Sequence, residues 1–293
     1  MKLAYTILKS DNFTNINELL KVKFKISTNL LSKLIRTKNI KVNIEICDTR
    51  KMYSDGSLLE ICFDYEEESD NIVATKMNLD IVYEDEWLLV LNKPSGIPIH
   101  PSMLHFSDSL SNGVKFYFDS IALKKKIRPV NRLDLYTSGL VIFAKCEYIQ
   151  EALIRQMQSH LFKKCYLAIS CGVFERKDDI INKPIARKTG SIIERCIDFE
   201  NGKPSITHYR VLKTSNDKNC SLILCTLKTG RTHQIRVHLN SIGHPLLGDS
   251  LYGMPHIDFD GQTLHCYKLS FLHPVSKKFI KLNSFPYWFS KIE

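Results

Sequence analysis

No stretch of eighteen consecutive apolar residues occurs in the 293-residue chain, so a membrane-spanning helix is not expected. The first residues, Met1-Lys2-Leu3-Ala4-Tyr5, meet Lys9, Asp11 and Asn12 before the apolar stretch of a secretory leader could form; the expected location is the cytoplasm. No Cys-x-x-C pair appears among the nine cysteines. Their odd number and scattered spacing argue against a disulfide framework and against zinc. Several sit in apolar runs such as Leu222-Ile223-Leu224-Cys225 and read as buried free thiols in a reducing compartment. Also missing are Gly-x-Gly-x-x-Gly, a phosphate loop ending in Gly-Lys-Ser/Thr, and His-Glu-x-x-His. His233 and His238 are five residues apart, hence on different faces of a helix, and read as packing or RNA-contacting groups rather than metal ligands. Tandem repeats and low-complexity tracts are absent as well.

What is present is positive charge, unevenly spread. Residues 1–60 carry a net +5, residues 61–90 a net −8, and the remaining 203 residues a net +13. Two basic blocks flanking an acidic stretch suit a polyanion partner, of which nucleic acid is the commonest. The ordinary apolar and charged fractions, 44% and 25%, describe a globular protein long enough for one large and one small domain.

The small part runs to about residue 65. Asn15 or Asn17 can cap a helix carrying Ile16, Leu19 and Leu20. Ser27 or Thr28 can cap a second, with Leu30, Leu31, Leu34 and Ile35 as its apolar stripe. Lys33, Arg36 and Lys38 fall mostly off that stripe and form a cationic face, either solvated or bound to RNA. A strand over 40–46, a turn at Ser54-Asp55-Gly56 and a strand over 58–63 follow. Residues 66–78, acidic and without apolar periodicity, read as a mobile linker. From residue 79 onward, strands are expected over 81–83, 87–91, 139–144, 166–170, 207–213 and 222–227. Helices are expected over 148–161 and 232–240, the latter capped by Thr232 and stopped by Gly243.

Two segments carry chemistry. In Asn131-Arg132-Leu133-Asp134-Leu135-Tyr136-Thr137-Ser138-Gly139, a charged loop runs into an apolar strand, and a carboxylate beside a rigid element suits catalysis. Asp134 could equally pair with Arg132 or cap a turn. In Gly230-Arg231-Thr232-His233-Gln234-Ile235-Arg236, the arginine follows a core candidate and can pair with a carboxylate from elsewhere, lowering its pKa. Phosphate binding or a structural role are its alternatives.

These segments, in order with Leu89–Gly96, Lys164-Cys165-Tyr166-Leu167-Ala168, Gly243–Asp249 and Leu264-His265, resemble the RluA family of pseudouridine synthases over about residues 80–293. Ser32–Arg36, Val42-Asn43 and Ser54–Ile61 resemble the small S-four-like RNA-binding domain, although Ile44 stands where a glycine is usual. The resemblance implies an α+β fold: a mixed, mainly antiparallel catalytic sheet (79–293) behind a small N-terminal α/β domain (1–65). It implies that Asp134 is the essential aspartate, Tyr166 packs against the uracil, Arg236 pairs with Asp134, and Arg132 helps to extrude the base. Asn131, Thr137, Lys164, Arg231 and His233 are expected at the substrate, and Lys33, Arg36 and Lys38 on RNA. Family members often carry histidine at Asn131 and an acidic residue at Tyr136.

The implied reaction detaches uracil from its sugar and rejoins it through carbon 5, after the base leaves the helix stack. An ionised Asp134 can attack covalently or take a proton from the sugar. The isomerisation consumes nothing, so no cofactor or metal is expected. The expected substrate is large-subunit ribosomal RNA, then transfer RNA, and the expected state a monomer. The rivals are an RNA-binding protein without activity and a carboxylate-dependent glycosidase or nuclease. A glycosidase would require a second carboxylate that these motifs lack.

Overall fold

Leu30, Leu31 and Leu34 do form the buried face of a helix, which Ser27 starts by accepting the Leu30 amide. The computed structural model describes residues 1–69 and 71–289. Its first unit runs β1 (Lys2–Thr6), α1 (Ile16–Val22), α2 (Thr28–Arg36), β2 (Ile40–Val42), β3 (Glu45–Ile46) and β4 (Leu58–Cys62). The four strands pair antiparallel in the order β1-β4-β2-β3. The single strand expected over 40–46 is a hairpin instead. Asn43 and Ile44 both take positive φ, 50° and 78°, which reverses the chain in two residues. Asparagine tolerates that conformation. The exposed Ile44 adopts it at a steric cost.

The acidic segment read as a mobile linker is docked. Glu67 and Ser69 are buried. The Glu67 carboxylate takes Lys33 Nζ and Arg128 Nη2, each at 2.7 Å, and Ser69 Oγ accepts the Ile127 amide at 3.2 Å. Acidic composition suggested solvation, but cations from both sides neutralise the one glutamate that matters. Asp70 lies outside the described residues. Nor is the small unit separately cored. Phe63 stacks on Tyr148 at 5.4 Å and meets Trp87 edge-on, within one apolar cluster that spans both units.

The larger unit contains β5 (Ile81–Glu84), β6 (Leu88–Lys93), α3 (Leu110–Ser120), β7 (Ser138–Ala144), α4 (Glu147–Gln158), β8 (Lys163–Cys171), β9 (Asp178–Asn182), β10 (Ile185–Arg187), β11 (Arg195–Ile197), β12 (Ile206–Ser215), β13 (Cys220–Leu227), α5 (Gln234–Asn240), β14 (Leu264–Leu272) and β15 (Phe279–Asn283). Nine strands form one mixed sheet in the order β5-β6-β7-β14-β8-β13-β12-β9, with β15 beside β14. Every pairing in it is antiparallel except β14 with β7. β7 is buried along its whole length, as its continuous run Ser138–Ala144 requires. Gly139, at φ 108°, admits the close approach of β14, because a Cβ there would lie 2.5 Å from the Cys266 carbonyl oxygen. The site sits at this central junction, where β14 sends one edge to β7 and the other to β8. No described helix is long and apolar enough to cross a membrane.

Candidate active site

The loop before β7 is held along its length. Asn131 donates to the Leu140 carbonyl at 3.0 Å and accepts the Ile142 amide at 2.9 Å. The Leu135 carbonyl takes Lys93 Nζ at 2.9 Å and the Gly96 amide at 3.1 Å, and Ser95 Oγ donates to the Tyr136 carbonyl at 2.9 Å. The Thr137 amide closes a turn onto the Asp134 carbonyl at 3.1 Å. Lys93 is fully buried, and its ammonium also reaches the carbonyls of Pro94 and Ile97. Burial pulls its pKa down to about 7, against the attraction of the nearby Asp134. The loop is thus a rigid bracket that presents the Asp134 carboxylate, 26% exposed, to an opening.

The opposite wall is α5. Arg236 is buried and donates twice to Asp249, from Nε at 2.7 Å and Nη2 at 2.8 Å, leaving Nη1 to donate to Asp134 Oδ2 at 3.2 Å. Burial works against the guanidinium charge, but Asp249 and then Asp134 outweigh it and hold its pKa above the ordinary value. Asp134 Oδ1 accepts no hydrogen bond from the described residues. One oxygen is therefore anchored and the other is free. The Asp134–Arg132 pairing that spacing also allowed is not formed; Arg132 is exposed at the rim.

Thr232 does not cap α5. The cap position belongs to His233, in the left-handed region at φ 58°, and no side-chain cap bond is present. Gln234 closes this end instead, accepting from the Arg231 amide and Thr229 Oγ1 and donating to β12 at the Ile206 carbonyl and Thr207 Oγ1. The Tyr252 hydroxyl accepts the Arg195 amide at 2.7 Å and shares a hydrogen bond with His233 Nδ1 at 2.8 Å. His233 Nε2 lies 3.8 Å from Asp134 Oδ2. Burial lowers the His233 pKa against the pull of Asp134.

Asp134, Tyr166, Arg236, Arg132, Thr137, Arg231 and His233 all line one pocket of about 60 Å³. At about 10–15 Å³ per water site, that is room for roughly four to six waters. Tyr166 projects from β8, and burial, then the neighbouring Cys266 thiol, push its phenol far above the ordinary value. It is a neutral stacking surface and hydrogen-bond donor at neutral pH.

Three expected contacts fall elsewhere. Asn131 is buried and spent on β7, so its amide splints the loop and does not reach the pocket. Lys164 lies outside the pocket lining, its ammonium beside Gly230. Lys33 is no free RNA contact: it bonds Glu67 and Glu147 and lies 4.3 Å above the Tyr65 ring, joining α2 to the larger unit. Arg36 and Lys38 remain exposed. His238 bonds Thr207 Oγ1 and the Lys183 carbonyl, as a packing histidine.

Sequence reasoning missed Asp249, Tyr252 and Lys93. Asp249 stood in a quoted block, and an acidic residue among glycines and leucines was the available signal. That Arg236, thirteen residues away, gives two of its donors to Asp249 is a long-range contact that no local pattern carries.

Comparison with known proteins bears on this geometry. The sequence profile of the RNA pseudouridylate synthase family matches residues 87–241. RNA pseudouridine synthase YjbO of Bacillus subtilis (strain 168) is 35% identical, over 84% of this chain and 86% of its own. Ribosomal large subunit pseudouridine synthase D of Neisseria meningitidis serogroup B is 37% identical, over 74% of this chain and 61% of its own. The solved structure of human RNA pseudouridylate synthase domain containing 1 superposes with a TM-score of 0.61 at 26% identity, covering 74% of this chain and 86% of that one.

Proposed function

This chain belongs to the RNA pseudouridylate synthase family and isomerises uridine to pseudouridine in RNA; from that premise we propose that it acts as a cytoplasmic monomer on large-subunit ribosomal RNA, with Asp134 as the catalytic carboxylate. Relatives named for the large ribosomal subunit, at 34–37% identity in several bacteria, favour that substrate over transfer RNA.

One observation carries the reading of the site: a carboxylate with one oxygen on a clamped arginine and the other free, in a pocket that a tyrosine also lines. In our reading the flipped uracil stacks on Tyr166, and Arg132 at the rim occupies the gap that it leaves in the RNA. Asp134 Oδ1 then attacks the substrate, in a bond that breaks again when the base rejoins the sugar, or removes a sugar proton that it gives back at that step. The C1′–N1 bond breaks, the base turns, and a C1′–C5 bond forms. Carbon 5 loses its proton and N1 gains one, so the balance is an isomerisation. Because the Tyr166 phenol is held neutral, the final deprotonation falls to Asp134. Arg236 directs the carboxylate. We read residues 1–65 as an RNA-binding arm that uses Arg36 and Lys38.

Release of tritium from RNA labelled at carbon 5 of uracil tests the reading. The wild type should release it stoichiometrically with pseudouridine, and Asp134→Asn should release none. Tritium release by Asp134→Asn at the wild-type rate would refute the role of Asp134. Free uracil or strand cleavage would point to a hydrolase.

A further inference from the structure

Next to the Asp134 pocket lies a second cleft, of about 430 Å³, between the β10–β11 hairpin and the loop before α5. Arg187, Arg195, Lys203 and Arg231 line it, and no carboxylate does. None of the four makes an ion pair with a described residue. The nearby acids are engaged elsewhere: Glu194 with Lys188 at 3.0 Å, and Asp198 with the amides of Glu200 and Asn201.

The hairpin's own pairing points to an anion. Arg187 and Arg195 are direct partners across β10–β11, where like charges repel. A two-stranded ribbon shaped for stability alone would place opposite charges there. The ribbon is nonetheless firmly seated. Ile185 and Lys203 exchange backbone hydrogen bonds at 3.0 and 2.9 Å, and the Asp198 amide bonds the Pro184 carbonyl at 3.1 Å. Gly202 lies so close to Pro184 that a Cβ would meet it at 2.9 Å.

The cleft is also fixed relative to the carboxylate. The Arg195 amide bonds Tyr252, Tyr252 bonds His233, and His233 faces Asp134, while Arg231 lines both cavities. We propose that this cleft grips the phosphodiester backbone next to the extruded uridine. The inference rests on the reading of the Asp134 pocket as the uridine site and names the contact that holds the RNA there. Turning a base out of the stack rotates its nucleotide about the backbone, so the adjoining phosphates need a fixed anchor. Guanidinium groups without a carboxylate partner supply it, although Arg195 and Arg231 each give one donor to a backbone carbonyl.

Arg187→Gln/Lys203→Gln removes two cations whose side chains are exposed and make no hydrogen bond to the described residues. The probe is a fluorescein-labelled oligouridylate, titrated between about 50 and 200 mM salt. Single-stranded contacts contribute about 0.7 each to the salt slope, so the slope should fall by about 1.4 and the affinity near 0.1 M salt by about 25-fold. A control of equal charge, Lys115→Gln/Lys281→Gln, should keep most of the wild-type slope. An unchanged slope in the cleft variant, or an equal loss in the control, overturns the proposal. Turnover at saturating RNA, read by tritium release, should stay within about twofold, as expected for a contact that positions RNA by its phosphates; a collapse of turnover with unchanged affinity also overturns it. Oligouridylate binding scores the cleft, whereas wild-type tritium release scores the uridine pocket, so either can fail alone.

Discussion

Asp249→Asn removes one charge from the site and leaves its volume intact. Asp249 is fully buried, with both oxygens on Arg236 and Oδ1 also accepting the amides of Leu251 and Tyr252 at 3.1 and 3.2 Å. Asparagine keeps one acceptor oxygen and turns an NH2 toward an N–H donor. Neutralising one partner of a buried pair costs about 3–5 kcal/mol. Arg236 retains Asp134 on Nη1, so the lower end applies. At about 2–4 °C per kcal/mol, a loss of about 3 kcal/mol lowers the melting temperature by about 6–12 °C. The guanidinium also loses one of the three bonds that aim it. If most of that energy is spent on holding Asp134, kcat falls by about a hundredfold. RNA affinity should change by less than about twofold, since phosphate contacts elsewhere dominate it. Calorimetry gives the first number, and tritium release at saturating RNA, well below the melting point, gives the second. A melting temperature within about 2 °C of wild type would refute the stability argument. A large thermal loss with undiminished kcat would show that the Asp249 clamp plays no part in positioning Asp134.

Three further outcomes follow from the same structure. His265 is buried between Ser138 Oγ and the Ser284 carbonyl, and burial lowers its pKa from 6.5 to about 4. The unfolded chain takes up a proton at 6.5 and the folded one not until about 4, so stability falls as pH drops through that window, by roughly 3 kcal/mol in all. Urea titrations across it should show this slope, and His265→Gln should lose that part of it. Lys33→Met should weaken thermal stability through the loss of Glu67 and Glu147 while leaving the salt slope of RNA binding in place; Arg36→Gln/Lys38→Gln should do the reverse. Removal of residues 1–65 should destabilise the remainder, because it strips Phe63 from Tyr148 and Trp87 and takes Lys33 from Glu67 and Glu147; a truncated chain with wild-type melting would contradict that.

The elements legible in the sequence were those whose own residues decide them. β6, β7, β8 and β13 are continuous apolar runs, and α2 and α4 carry stripes at helical spacing, so each was located to within a few residues. α3 was not found, since its first turn buries Ser111, Asn112 and Gly113, which read as a loop. Asn112 bonds the Val73 and Phe106 carbonyls there, a long-range reason that no local pattern carries. β14 runs parallel to β7 and builds the site, yet begins Leu264-His265-Cys266 with a buried histidine. The β10–β11 hairpin is too short and polar to register. Of the site, the residues quoted in motifs were recovered with their neighbours. Lys33 was misjudged because an exposed helix face and a docked one have the same spacing. Asn131 was misjudged because an amide beside a catalytic loop serves a ligand or a strand equally well.

Pseudouridine mapping of large-subunit ribosomal RNA bears most directly on the whole account. It should be done in cells with this gene, without it, and with only Asp134→Asn. At least one uridine should be converted with the gene and unconverted in both other strains. Identical maps in all three, or full conversion by Asp134→Asn, would contradict it.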